Sequence, residues 1–413
     1  MSQAELGGDR YTGSYISHLE SGRRAASADV IEFLAMRLGV TTSELGMEPT
    51  LRVPEDEATT PYALEHLLVA ERAWYDRDWV TAGELATKAA SAALAAGQSE
   101  RHWQALYVQT QAALAAGDYV DAIHYAEQLA GHQLAVSSPT LRAQALCLSA
   151  TAHRVGDELP MALVHAGQAV ELAREAPPVV LADALMCLIS SVLEAGRPTA
   201  ESDRLSAWLE EVSMKVESGH ARGVIYWALG TAAVKSGNVG KGLELHDQAM
   251  ELLSPRRDLR MWLRLQRSVA TCRLEAGITD GVRELLDAAR SGLKLIGSAY
   301  DIFELRHAEA RLALLEGRTD EASRLIHELL ADPAMRPAVV SNGSAEELLG
   351  EVELDLGRVE SARKAFVRAA GAYGKQEQFR QAHQCWQRAT DLQNLLVHTL
   401  DGESLRVDNS VKH

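Results

Sequence analysis

The sequence is short of aromatic residues, cysteine, lysine and long apolar runs, and each shortage excludes something. Aromatics make up 5% of the 413 residues although hydrophobic residues reach 47%. Small side chains, chiefly Ala and Leu, therefore carry the apolar content, which favours helix. The four cysteines, Cys147, Cys187, Cys272 and Cys385, are far apart with no CxxC spacing. Neither a disulfide framework nor a zinc site is indicated, and a reducing cytoplasm is the expected compartment. No apolar run approaches the roughly 18 residues of a membrane span, so no membrane partner is expected. The N-terminus lacks the basic, apolar and cleavage segments of a signal peptide. Basic residues number 41 against 57 acidic ones, a formal charge of -16, and only 8 of the 41 are lysine. A uniformly basic nucleic-acid coat is thereby excluded. There is no Gly-rich phosphate loop, no HExxH and no GxSxG, so neither an enzyme nor a cofactor is expected.

What the sequence has is a repeat. Its length suits two or three domains or one long array, and the glycines decide between them. Gly117, Gly156, Gly196, Gly237, Gly277, Gly317 and Gly357 follow one another at intervals of 39, 40, 41, 40, 40 and 40 residues. One step back from Gly117 lies another polar turn, Tyr75 to Trp79. Each unit reads helix, Gly turn, helix, the glycine supplying the left-handed conformation that ends the first helix. Five residues after the turn stands a small side chain: Ala82, Ala122, Gly242, Ala322 and Ala362. Seven before it stands another: Ala70, Thr110, Ser149, Gly230, Ala270, Ala310 and Gly350. Ile189, Glu201 and Val282 break these rules, and Met161 followed by Ala162 suggests a one-residue shift. Cys147 and Cys187 share the slot nine before the turn, where other units hold Val108, Ala228 and Ala308. A small apolar role in packing explains both.

These spacings resemble the tetratricopeptide repeat. The expected fold is all-α: a short N-terminal helix-turn-helix domain, then an α-solenoid of about eight such repeats. The period exceeds the usual 34 or so residues, so some helices should be extended. Expected divisions are 1–46, a linker 47–60 rich in proline and acid, the array 61–400 with a capping helix around 381–400, and a flexible polar tail 401–413. In the repeat family the first helices line a concave face. Projecting its inward positions gives Gln104, Tyr107, Gln111, His153, Asp183, Ser190, Trp227, Thr231, Arg264, Arg267, Thr271, Glu304, His307, Arg311, Glu347 and Glu351. Arg264, Arg267, His307 and Arg311 form a candidate basic cluster able to grip a carboxylate. Alternatively they pair with Glu304, Glu347 and Glu351. Gln104 would contact the ligand too, and Tyr107 and Trp227 are either apolar anchors for it or packing residues.

Residues 1–46 carry a different signal. Ser2-Gln3-Ala4-Glu5-Leu6 reads as a short capped helix, Gly13–Glu20 as a second, about 27–38 as a third, and Thr41 to Leu45 as the start of a fourth. Together with the run Ser14 to Arg24 and Leu34 to Val40, this resembles the lambda-repressor-like (XRE-type) helix-turn-helix. The resemblance implies that Gly13–Glu20 lies in the major groove of double-stranded DNA. Gln3 would then bond a phosphate, Ser14, Ser17 and His18 would face base edges, and Arg23 and Arg24 would hold the backbone. Ile16 and Leu19 would pack inward. The family has another helix before Ser-Gln-x-Glu-Leu; without it Leu6, Val30 and Leu34 should lose cover, and an upstream start codon is expected. Gly7 and Gly8 weaken the first helix.

A helix-turn-helix followed by such repeats resembles the peptide-pheromone-sensing transcription regulators. That implies a peptide, small ligand or partner protein in the groove that modulates DNA binding by a homodimer. The alternative is an interaction scaffold whose helix-turn-helix no longer binds DNA. Those regulators clamp the peptide backbone with asparagines, whereas Asn238, Asn342, Asn394 and Asn409 all miss the inward positions. Residues 1–46 carry a net charge of -2 and the remainder -14, so most of the excess acid belongs to the array.

Overall fold

The computed structural model describes residues 2–8, 10–11, 13–20, 28–40, 60–156, 158–197, 199–333 and 342–408. It divides into two compact units, Met1–Pro61 and Tyr62–His413. Among the described residues every regular element is a helix.

The first unit contains α1 (Gln3–Gly7), α2 (Gly13–Glu20) and α3 (Ala28–Leu38). Ser2 and Glu5 cap α1 reciprocally: the Glu5 N–H donates to Ser2 Oγ at 3.2 Å and the Ser2 N–H to Glu5 Oε2 at 2.7 Å, a capping box. The helix stops at Gly7, and Gly8 takes φ +54°, a conformation glycine adopts without penalty. Arg37 on α3 donates to the Glu5 carbonyl at 2.7 Å and lies 5.8 Å from the Phe33 ring centre. Ile16 is buried and Leu19 half-buried, as expected. Leu6 and Val30, expected to lose cover, are in fact buried, and Leu34 is half-buried. The exposed apolar residues of α3 and its end are instead Met36, Leu38 and Val40.

The second unit pairs helices. They are α4 (Thr60–Tyr75) with α5 (Trp79–Ala95), α6 (Ser99–Ala116) with α7 (Tyr119–Gly131), a one-turn insert α8 (Gln133–Ser137), and α9 (Pro139–Val155) with α10 (Leu159–Leu172). Then come α11 (Pro178–Glu194) with α12 (Thr199–Ser213), α13 (Gly219–Lys235) with α14 (Val239–Leu252), and α15 (Leu259–Glu275) with α16 (Val282–Ile296). The last pairs are α17 (Ala299–Leu315) with α18 (Thr319–Ala331) and α19 (Asn342–Asp355) with α20 (Val359–Lys375), closed by α21 (Phe379–Asp408). The long period is explained by first helices such as α6, of 18 residues, and α9, of 17. The capping helix extends beyond expectation: α21 runs through Asp408, so 401–408 is helical rather than a tail.

Side chains start these helices where the pattern turns apolar. Asp78 Oδ1 accepts from the Thr81 N–H at 3.1 Å, Ser138 caps α9 with Pro139 at its first position, and Asp258 Oδ1 accepts from the Met261 N–H at 2.9 Å. The small positions sit where paired helices cross: Ala70, Ala82, Ala122, Ala162, Ala270, Ala310, Ala322 and Ala362 have no exposed surface. In the fifth pair a Cβ on Gly230 would lie 2.9 Å from the Gly242 carbonyl oxygen and 2.4 Å from His246 Cδ2. The exception at Glu201 is a one-residue shift, because the next residue, Ser202, is the buried one. One glycine departs from the expected role. Gly156 has no positive φ; its place is set by the close approach of Ile123, 3.0 Å from where a Cβ would stand. The turn before Trp79 instead puts Arg77 at φ +63°.

Successive first helices pack directly on one another, α9 on α11, then α13, α15, α17 and α19 in order. They therefore form the inner, shorter-radius layer of a superhelix. One turn takes between four and five repeats, since residues about 180 apart in sequence meet. Arg77 lies 3.8 Å from Asp258, the Arg260 guanidinium is 5.6 Å from the Trp79 ring centre, and the turn at Gly196 abuts Arg380.

Candidate functional site

The inner face of the solenoid is built from charged residues that pair across repeats. The slot two residues before the turn carries alternating signs in four successive repeats: Arg154, Glu194, Lys235 and Glu275. Because equivalent slots of neighbouring repeats adjoin, Arg154 meets Glu194 at 3.0 Å and Lys235 approaches Glu275 at 3.9 Å. Deeper along the same helices, Arg267 pairs with Glu304 at 3.0 Å, and Arg264 and Arg260 converge on Asp301 at 3.1 and 2.8 Å. Arg311 pairs with Glu351. Arg388 of α21 then reaches Glu351 at 2.9 Å and Glu347 at 3.5 Å.

The expected basic cluster is thus split and neutralised. His307 Nε2 lies 3.2 Å from the Ser344 carbonyl oxygen, to which it can only donate. Burial is the main cause of the lowered His307 pKa, so the ring is held neutral and adds no positive charge. Asp301, only 1% exposed, is the acid that the inward projection missed. Burial opposes its charged form, but the Arg264 and Arg260 guanidinia and the Ser298 N–H outweigh that and hold its carboxyl below the usual range. The signal was present, since Ser298 followed by Asp301 is a capping box, and both reciprocal bonds form. A ligand carboxylate gripped here would have to displace Asp301, Glu304 or Glu351.

His307 and Arg311 do share a cleft, of about 160 Å³, with Thr271, Glu275, Glu347 and Tyr373. Arg264 and Arg267 lie outside it. The Tyr373 hydroxyl donates to Glu347 at 2.9 Å. The other expected contacts divide between bonded and open. Trp227 is a packing residue whose indole donates to Ser268 Oγ of the next repeat at 2.9 Å. Gln104 donates to Glu71 at 3.0 Å, and His153 is buried against Glu158 at 2.8 Å. Tyr107 is half-buried and stacks on Trp103, with ring centres 5.5 Å apart. Asp183 keeps solvent access and forms no ion pair among the described residues. Its place in the hollow of the superhelix leaves it short of water and pushes its carboxyl up to about 6. The hollow therefore offers a ligand neutral and acidic groups, with its basic groups already engaged. A larger cleft of about 630 Å³ lies elsewhere, between the second helices α10 and α12, with Trp208 on its wall.

In the first unit, Gln3 donates to Glu20 Oε2 at 2.7 Å, tying the start of α1 to the end of α2. Ser17 is half-buried on α2. The side chains of Ser14 and His18, and all of Arg23 and Arg24, fall outside the described residues, as does the linker up to residue 59. The described residues contain no helix long and apolar enough to cross a membrane, and no cluster of three metal-ligating side chains.

The pairing of helices and their stacking into one superhelix define a tetratricopeptide-like α-solenoid, and one solved structure has the same fold over nearly its whole length. A Rap protein crystallised with competence and sporulation factor is similar over 93% of this chain and 96% of that one, with TM-score 0.50 and 11% identity. The apo quorum sensor NprR from B. thuringiensis matches over 91% and 95%, with TM-score 0.43 and 14% identity. Yeast Tom70 matches over 84% and 99%, with TM-score 0.34 and 12% identity. No protein-family model and no curated protein matches the sequence.

Proposed function

We propose that the solenoid binds a peptide or partner protein in its hollow and thereby regulates DNA binding by the N-terminal helices, in a homodimer. The observation that carries this is a continuous inner face of first helices that leaves Tyr107, Asp183 and the Thr271–Tyr373 cleft open to a ligand. The solved Rap complex supports it, because a solenoid similar over nearly its full length is bound there to a factor. The open acid Asp183 suits a cationic group on the ligand, such as an amino terminus or a basic side chain. For the first unit, the helix-turn-helix resemblance assigns the DNA contacts to Gln3, Ser14, Ser17, His18, Arg23 and Arg24.

The test is fluorescence anisotropy of the full chain on duplex fragments from upstream of its own coding region, between about 50 and 200 mM salt. A helix held by phosphate contacts binds with an affinity that falls steeply with salt. Ser17→Glu, which brings negative charge to the groove-facing helix, should weaken binding at least tenfold with unchanged helicity. One observation favours a second reading, a scaffold without DNA binding: the Gln3 amide meant for a phosphate is engaged by Glu20. Absence of binding at low salt on every fragment would establish the scaffold and remove the regulator.

A further inference from the structure

Cys147 and Cys187 occupy the same slot of successive repeats, which brings the two residues into contact between α9 and α11. Cys187 Sγ lies 3.7 Å from the Cys147 carbonyl oxygen and 3.7 Å from Thr151 Oγ1, and each thiol shifts the acidity of the other. Packing does not require sulfur here, since Ala228 and Ala308 fill the slot elsewhere. Cys147 is nearly buried and Cys187 half-buried, so only the second is open to a reagent from the hollow. The pair is also polarised. Cys187 is held below the usual thiol range by its interaction with Cys147, against burial, with help from Thr151 and the Arg154 guanidinium, while the same interaction and burial hold Cys147 up. The other two cysteines are isolated and buried, and burial pushes Cys272 up to about 11 and Cys385 up to about 12.

The geometry points to a thiol-pair oxidation site, in which a hydroperoxide converts Cys147 and Cys187 into a disulfide joining α9 to α11. The Cys187 thiolate attacks the peroxide O–O bond, forming a sulfenic acid and releasing water, or an alcohol from an organic peroxide. The Cys147 sulfur then attacks the sulfenic sulfur and expels a second water as its proton leaves. Two thiols are oxidised by two electrons and one peroxide is reduced. Since an S–S bond is about 2.05 Å long, closure draws the two helices together on the inner side. This site does not depend on what the hollow binds.

The experiment exposes the folded full chain to one equivalent of hydrogen peroxide, then counts free thiols and maps peptides without reduction. The expected result is a loss of two of the four thiols and a peptide pair linked through Cys147 and Cys187, restored by dithiothreitol. Cys147→Ala, a residue this slot accepts in other repeats, should abolish the link and leave Cys187 as a sulfenic acid that dimedone labels. Cys187→Ala should leave all three remaining thiols unoxidised. Equal loss at Cys272 or Cys385, a link between two chains, or no linked peptide at full peroxide consumption would each overturn the assignment.

Discussion

His246 has no exposed surface, although it carries an ionisable ring on a second helix. Its ring occupies the space a Cβ on Gly230 would take, and its Nε2 lies 3.3 Å from Thr231 Oγ1. Burial, reinforced by Arg273, lowers its pKa to about 4, against about 6.5 in the unfolded chain. Between those values the unfolded state binds more protons, so stability is complete above about pH 6.5 and falls as the pH drops toward 4. The full difference amounts to about 3 kcal/mol at most. Urea unfolding at stepped pH should show this slope, and His246→Gln should flatten it; identical slopes would remove His246 from the acid response. The sequence showed that slot 230 must be small. It did not show why glycine stands there, because the partner ring comes from a position outside the repeat's small-residue slots.

At the scale of the element, a buried acid reinforces the apolar join between α15 and α17. Asp301 caps its own helix through Ser298 and receives Arg260 and Arg264 from the preceding repeat. Removing one partner of a buried pair leaves uncompensated charge and costs roughly 3–5 kcal/mol. Asp301→Ala should therefore lower the unfolding free energy measured in urea by that amount, with Asp301→Asn, which keeps a capping oxygen, losing less; a loss below about 1 kcal/mol, within the range of a surface pair, would contradict the account. The projected inward positions offered internal pairing of the basic cluster with Glu304, Glu347 and Glu351 as one of two outcomes, and Arg267 with Glu304 and Arg311 with Glu351 follow it, whereas Arg264 pairs with Asp301. The projection could not choose between a ligand grip and internal pairing, since that depends on the distance between neighbouring first helices. The alternating slot Arg154, Glu194, Lys235, Glu275 could have decided it, because opposite signs in register across adjacent repeats are already an inter-repeat ladder.

On the scale of the whole solenoid, the glycine period and the two small slots were sufficient to read helix pairs, their crossings and their stacking. The pitch was not readable. It rests on single meetings between residues about 180 apart, such as Arg77 with Asp258 and the turn at Gly196 with Arg380, and no local pattern announces a lone long-range pair. The central claim is that the hollow, not the outer cleft at Trp208, is where a partner binds. Its most direct measurement uses peptides selected from a displayed random library against the full chain, followed by calorimetry on three proteins: unaltered, Asp183→Asn with Tyr107→Ala, and Trp208→Ala. The account predicts at least a tenfold loss of affinity for the hollow variant and none for Trp208→Ala. The reverse order, or equal affinity in all three, would contradict it.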